Sequence, residues 1–483
     1  MNKTIRRASV FCLLLVLALL VRVTWVQAYE GTALADNKNN RRTKIAQYAA
    51  PLGNIIVGGK AVTGSKKVDA GDFAYQRTYT DGPLYAPVTG FSSQVYGATQ
   101  LENLYQGILN GSDNRLKNPL DALTGKRADP GNVLTTIDPE VQKAGYAALK
   151  GKTGAAVAID PATGAVLGVV SNPSYDPGRI AGSNDKDAWA QLSANEGAAM
   201  TNRALRQPLA PGSTFKLVTA AAALENGLYD SVDVPTDSPN PYTLPGTRTV
   251  LENENKSAPC ENASLRTAMQ YSCNNVFANI AYKLGQDKMR AMAEKFGFND
   301  PKQDIPVRAY PSVYPTKKAS RDLVALTGIG QFDVTATPLQ MAMVSAALEN
   351  GGKLVAPHMV SEVTDANGNV LESFKDAPSK QVVSERTAEL LRETMKTVVE
   401  ETSGGGNAKV PGAEVGGKTG TAQHGVNNSK KPYAWFTSYG KANGKQVAVA
   451  VIIENSDTER SEVAGGKLAA PVAQKMMAAA LRS

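Results

Sequence analysis

An α+β fold is what the sequence predicts. A large domain over residues 136–483 carries a central antiparallel sheet flanked by helices, a small mixed strand-and-turn domain over 54–135 precedes it, and a membrane helix opens the chain. Three observations predict this. An apolar run from Val10 to Val21 follows Lys3, Arg6 and Arg7. The residue pattern changes at Ile137-Asp138-Pro139 from short Gly- and Pro-punctuated pieces to long periodic ones. Strong hairpin signals then stand near both ends of the remaining chain with helical patterns between them, so strands from distant segments are expected to share one sheet.

Length and composition agree. Single cores stop growing near ~250–300 residues, so 483 residues imply at least two folded units. Apolar residues at 42% and charged residues at 20% suit a globular chain rather than a disordered or fibrous one. The mean hydropathy of -0.25 excludes a polytopic membrane protein. Three cysteines exclude a disulfide-dense scaffold, and two histidines without metal-ligand spacing give no reason to expect a metal or cofactor. The net charge of +8 is spread without a basic stripe, and aromatics are only 6%, so nucleic acid is not an expected partner.

The elements follow in order. Over residues 1–29, leading positive charges and an apolar run match either a cleaved signal peptide, with Val26-Gln27-Ala28 as a small-residue site, or an uncleaved anchor. Trp25 and Tyr29, at interface depth, favour the anchor, with residues from about 29 onward outside the cytoplasm. Residues 30–53 are polar and read as a linker or a fraying helix. From Asn54 to Asp129, Ile55-Ile56-Val57, Phe73-Ala74-Tyr75 and the stretch from Thr80 to Tyr96 read as strands and turns, with a brief helix from Leu101 to Leu109. Asp138 is an N-cap with Pro139 at the first helical position. Ala155 to Ile159 and Ala165 to Val170 read as one hairpin; Trp435 to Tyr439 and Val447 to Ile453, joined across Asn443-Gly444, read as another. Helices are expected over Thr214 to Glu225, Leu265 to Leu284, Pro338 to Glu349, Glu385 to Glu400 and Pro471 to Leu481. In the exported part Cys260 and Cys273 are either bridged or free thiols.

Three short motifs carry candidate chemistry. In Pro211-Gly212-Ser213-Thr214-Phe215-Lys216 a serine and a lysine three apart share one face at a helix start. A partly buried lysine loses proton affinity and can accept the hydroxyl proton, which makes Ser213 a nucleophile and Lys216 its base. Tyr271-Ser272-Cys273-Asn274 places poor helix formers inside a helical pattern, as a solvated face or a polar pocket would need. Gly417-Lys418-Thr419-Gly420-Thr421 offers a cation, two hydroxyls and close backbone approach, which suits a carboxylate. Taken singly, each has a bland reading: a capping serine, a wet helix face, a plain turn.

In this order, Ser-x-x-Lys, Ser-x-Asn and Lys-Thr-Gly are the set of the penicillin-interactive serine acyltransferases. The sequence resembles the class B penicillin-binding proteins from about residue 50 to the end. The flanking Asn202-Arg203-Ala204, Gly328-Ile329-Gly330-Gln331 and Thr337-Pro338-Leu339-Gln340 extend the match. Asp81-Gly82-Pro83-Leu84-Tyr85-Ala86-Pro87-Val88-Thr89-Gly90 makes it most similar to the PbpA-type proteins of actinobacteria. The resemblance implies a peptidoglycan D,D-transpeptidase that cross-links stem peptides and is acylated by β-lactams. It implies Ser213 as nucleophile, Lys216 as base and Ser272 as proton relay. Asn274 would bind substrate and steady Lys216; Lys418, Thr419, Gly420 and Thr421 would hold the terminal carboxylate. It also implies a membrane protein whose partner is a polytopic glycosyltransferase of the shape, elongation, division and sporulation family. A D,D-carboxypeptidase and a non-catalytic β-lactam sensor or scaffold are the alternatives. A class A β-lactamase would need a Glu-x-x-Leu-Asn that is absent, and a Ser/His/Asp hydrolase would need more than His424, which reads as a cleft-edge histidine.

Overall fold

The computed structural model describes residues 3–35, 40–69, 71–117, 127–194, 198–374, 377–425 and 428–482. Residues 36–39 of the expected linker and 118–126 of the expected small domain lie outside the described residues. Lys3–Trp25 is one helix that continues to Glu30, and an 18-residue window of it has a mean hydropathy of 2.4 with none of its residues buried. Length and composition suffice to cross a membrane. Trp25 stacks on Tyr29 one turn later, with ring centroids 4.6 Å apart.

One sheet has five strands, in the order Val370–Ser373, Val360–Thr364, Asn132–Thr135, Ile55–Val57, Lys60–Ala61. Ile55–Val57 runs parallel to Asn132–Thr135, and Val360–Thr364 pairs antiparallel on the other side. Strands from far along the chain therefore complete it. Beside it the hairpin Thr63–Lys67/Tyr75–Tyr79 is held by a buried Arg77–Glu102 pair at 2.6 Å, with Arg77 also donating to the Gly53 carbonyl. Two expectations need correction here. Phe73-Ala74 precede the strand, which starts at Tyr75, and the stretch from Thr80 to Tyr96 holds the helix Gly82–Thr89 before a short strand at Ser92–Ser93. Pro83 in that helix's first turn lacks only an N–H that would be unpaired there anyway.

The larger sheet has the order Glu414–Ala422, Tyr433–Ala442, Lys445–Asn455, Thr153–Ile159, Val166–Asn172, antiparallel throughout. The two expected hairpins meet in it, with Val451 opposite Ala156. Asn443 and Gly444 at their turn have φ of 53° and 77°, the left-handed pair that a tight hairpin needs. Both faces are buried, which is why the strands read as continuous apolar runs rather than alternating ones. Val447, Val449, Val451 and Ile453 face one core with Met476 and Met477 of the last helix, Ala470–Arg482, and Val141 of Pro139–Ala148. Ala448, Ala450 and Ile452 face the other. Small alanines on that face let Pro338–Glu349, buried along its whole length, lie directly on the sheet. Asp138 caps Pro139–Ala148 as expected, accepting from the Glu140 and Val141 amides.

Candidate active site

Three elements converge. Ser213 lies in the tight turn Gly212–Phe215, which leads into the buried helix Lys216–Glu225. The edge strand Glu414–Ala422 runs alongside this turn and carries Lys418, Thr419, Gly420 and Thr421. The third element departs from expectation. Leu265 to Leu284 is not one helix: Leu265–Tyr271 stops, Ser272 takes φ 56° and ψ 44°, and Asn274–Leu284 starts afresh. A non-glycine residue in the left-handed region costs about 1–3 kcal/mol and persists only where its surroundings impose it. Here they do. Cys273, the next residue, is disulfide-bonded to Cys260 with Cα atoms 5.5 Å apart. The break also turns the Ser272 carbonyl out of the helix, where it accepts from Lys216 Nζ at 2.8 Å.

Lys216 Nζ donates further to Ser272 Oγ at 3.1 Å and to Asn274 Oδ1 at 2.8 Å. From the other side Lys418 Nζ donates to the same Ser272 Oγ at 3.0 Å and to the Thr419 carbonyl at 3.0 Å. Two lysines thus share one serine hydroxyl, and both are buried. Burial, joined by the like charge of Lys418, holds Lys216 well below the usual lysine range. Burial pushes Lys418 down to about 8, so it stays largely cationic at neutral pH. Above this cluster Ser213, Asn274 and Thr421 line an open cleft of about 790 Å³. The Ser213 hydroxyl takes no part in the hydrogen bonds of the lysine cluster beneath it.

The glycines explain how the parts fit. A Cβ on Gly212 would lie 2.7 Å from the Thr421 carbonyl oxygen, and one on Gly420 would lie 3.1 Å from the Pro211 carbonyl oxygen, so the edge strand and the serine turn touch backbone to backbone. Gly330, at φ +68°, supports the turn from below. Its carbonyl accepts from the Gly212 amide at 3.1 Å, and a Cβ there would lie 2.2 Å from the Gly212 oxygen. Gly330→Ala is expected to lower stability by about 2 kcal/mol or more, read by thermal unfolding, and to slow acylation of Ser213.

Two residues went unnoticed in the sequence. Asn253 Oδ1 accepts from the Asn274 and Asn275 amides, capping the restarted helix from a distant loop, while its Nδ2 donates to Asn275 Oδ1. Asn275, fully buried, donates in turn to the Cys260 and Pro239 carbonyls. Asn253 stands in the polar run Glu252-Asn253-Glu254-Asn255, where no periodicity marks it. His424 is otherwise engaged: its ring stacks on Tyr433 at 3.8 Å and its Nε2 meets the Lys431 carbonyl at 2.6 Å.

Known proteins share this architecture. Residues 154–478 match the penicillin-binding protein transpeptidase domain, and residues 52–133 match the penicillin-binding protein A dimerisation domain. The peptidoglycan D,D-transpeptidase PbpA of Mycobacterium tuberculosis is 36% identical over 496 residues, covering 100% of this chain and 99% of that protein. PbpA of Mycolicibacterium smegmatis is 35% identical over 497 residues, with the same coverage of both. The ceftriaxone acyl-enzyme of M. tuberculosis penicillin-binding protein A superposes with a TM-score of 0.82 at 36% identity, over 90% of this chain and all of that one. With the larger sheet, the serine turn and the two-lysine cluster in this frame, the chain belongs to the penicillin-binding transpeptidases, among relatives of the PbpA type.

Proposed function

We propose that this protein is a peptidoglycan D,D-transpeptidase that cross-links stem peptides through an acyl-enzyme on Ser213 and is acylated by β-lactams at the same serine. The observation that carries the reading is the pair of buried lysines on one hydroxyl. Lys216, low in proton affinity, takes the Ser213 proton as Oγ attacks the penultimate D-Ala carbonyl. Ser272 passes a proton to the leaving D-Ala amine, the C–N bond breaks, and an ester to Ser213 remains. Asn274 steadies Lys216 and borders the donor peptide. Lys418, still cationic, holds the terminal carboxylate with Thr419 and Thr421, and Gly420 lets the strand come close. The Ser213 and Thr421 amides form the oxyanion hole; a single such donor is worth about 10²–10³ in rate.

The apolar helix Lys3–Trp25 supports a single-pass anchor, and Lys3, Arg6 and Arg7 at its start support a cytoplasmic amino terminus with the catalytic domain on the opposite side. Family resemblance is the support for a polytopic glycosyltransferase partner, contacted through the anchor and the domain over 54–135.

The test is product analysis with a stem-peptide donor ending in D-Ala-D-Ala and a second stem peptide as acceptor. A cross-linked dimer is expected. Release of D-Ala without dimer would make the protein a carboxypeptidase, and donor binding without any release would make it a scaffold.

A further inference from the structure

The cleft above Ser213 is electrically two-sided. Among its lining residues is Arg460, whose guanidinium donates to Gln423 Oε1 and to the Asn428 and Lys430 carbonyls and meets no carboxylate among the described residues. Glu252 and Glu254 are the only acids among the described residues lining the cleft; their segment is tied to Asn274, whereas Arg460 is tied to Gln423 just beyond the edge strand. The loop that carries them is not a loose rim. Asn253, between the two, is buried and tied to the Asn274 amide at 2.6 Å, and the Glu252 carbonyl accepts from Asn274 Nδ2 at 2.9 Å. Glu252 is balanced by Lys256 at 3.3 Å. Glu254 has no ion-pair partner among the described residues, yet its charge is felt by both buried lysines, raising their proton affinity against the burial that lowers it.

An unbalanced carboxylate is an odd lining for a site whose donor ends in a carboxylate of its own. It repels the donor, and by raising the proton affinity of Lys216 it lowers the fraction of that lysine that is neutral and free to accept a proton. The second substrate is the reverse case: the acceptor of a cross-link is an amine, and at neutral pH nearly all of a primary amine is ammonium. We propose that Glu254 is the acceptor-reading residue, drawing in and orienting the ammonium end of a diamino acid on the incoming stem peptide while Arg460 faces the carboxylate of that same residue. The inference rests on the transpeptidase reading. The ammonium releases one proton to water. The free amine then attacks the Ser213 ester, the new amide forms as the ester bond breaks, and the second amine proton ends on Ser213 Oγ.

The test uses the full-length chain in detergent, wild type beside Glu254→Gln and Glu254→Asp. A donor thioester is offered with either a diamino acid or hydroxylamine, a nucleophile that is uncharged at neutral pH. For Glu254→Gln the ratio of diamino-acid transfer to hydroxylamine transfer is expected to fall about fivefold through the acceptor KM, as loss of a rim charge would give, and Glu254→Asp to recover part of it. Acylation by benzylpenicillin is expected to move the other way, extending to lower pH because Lys216 loses a neighbouring negative charge. An unchanged ratio, or equal losses with both acceptors and slower acylation, would overturn the proposal. Absence of any penicillin adduct on the wild type would instead remove the transpeptidase reading beneath it.

Discussion

Replacement of Ser213 by alanine is expected to convert a protein that accumulates one benzylpenicillin ester per chain into one that accumulates none, as read by intact mass. The reaction opens the β-lactam amide, joins its carbonyl to Ser213 Oγ and leaves the proton on the ring nitrogen. Ser213 lines the cleft and stands three residues before Lys216, whose proton affinity burial lowers, as the proposed nucleophile requires. Loss of such a nucleophile costs at least about 10⁴ in rate. The substitution removes one small side chain that makes no bond to the lysine cluster, so Ser213→Ala is expected to unfold within a few degrees of wild type. An adduct persisting on the variant would place the nucleophile elsewhere.

The second large effect concerns the lysines. Lys216→Ala is expected to slow acylation by about 10²–10⁴, the range for a positioned base. Lys216→Arg should be nearly as slow, because a guanidinium keeps the charge and cannot give up its proton. The pH profile follows from the two directions of charge. In the proposed mechanism Lys216 acts when neutral, and its depressed proton affinity means that the neutral fraction, and the rate, are expected to grow as pH rises from the acid side. Lys418, as the proposed carboxylate holder, acts when charged, so turnover of a carboxylate-ended donor is expected to fall as pH rises through about 8. The expected kcat/KM profile is a bell with its alkaline limb near 8. Lys418→Ala removes a like charge from beside Lys216, so its ascending limb should shift to higher pH. A flat profile, or a limb that moves down in that variant, would contradict the assigned roles.

Much of this was legible in the residues. The Asp138 cap and the Asn443-Gly444 turn are local devices whose geometry is carried by the residues themselves, and the structure forms both. The strands around them read correctly because apolar runs bounded by turns leave few alternatives. The Gly82–Thr89 helix was misread because its two prolines and aromatic neighbours resemble a turn-rich strand region, while Pro83 in fact sits where a helix tolerates it. The break at Ser272 was missed for a different reason. The helix resumes after two residues, so the apolar spacing on either side stays nearly in phase and periodicity cannot report the gap.

The residue types and their order along the chain therefore dictated the inventory: an apolar leading helix, hairpins for one large sheet, and a serine, lysines and hydroxyls in three motifs. What those groups can do was left to the folded chain. Lys216 and Lys418 meet Ser272 from positions 56 and 146 residues away in sequence. Their lowered proton affinities exist only because helices and sheet remove water from around them. The left-handed Ser272, the Asn253 cap and the unbalanced Glu254 belong to the same class. Each depends on contacts between distant segments, and local sequence encodes the conformational preference of a residue but not the dielectric or the neighbours that packing supplies.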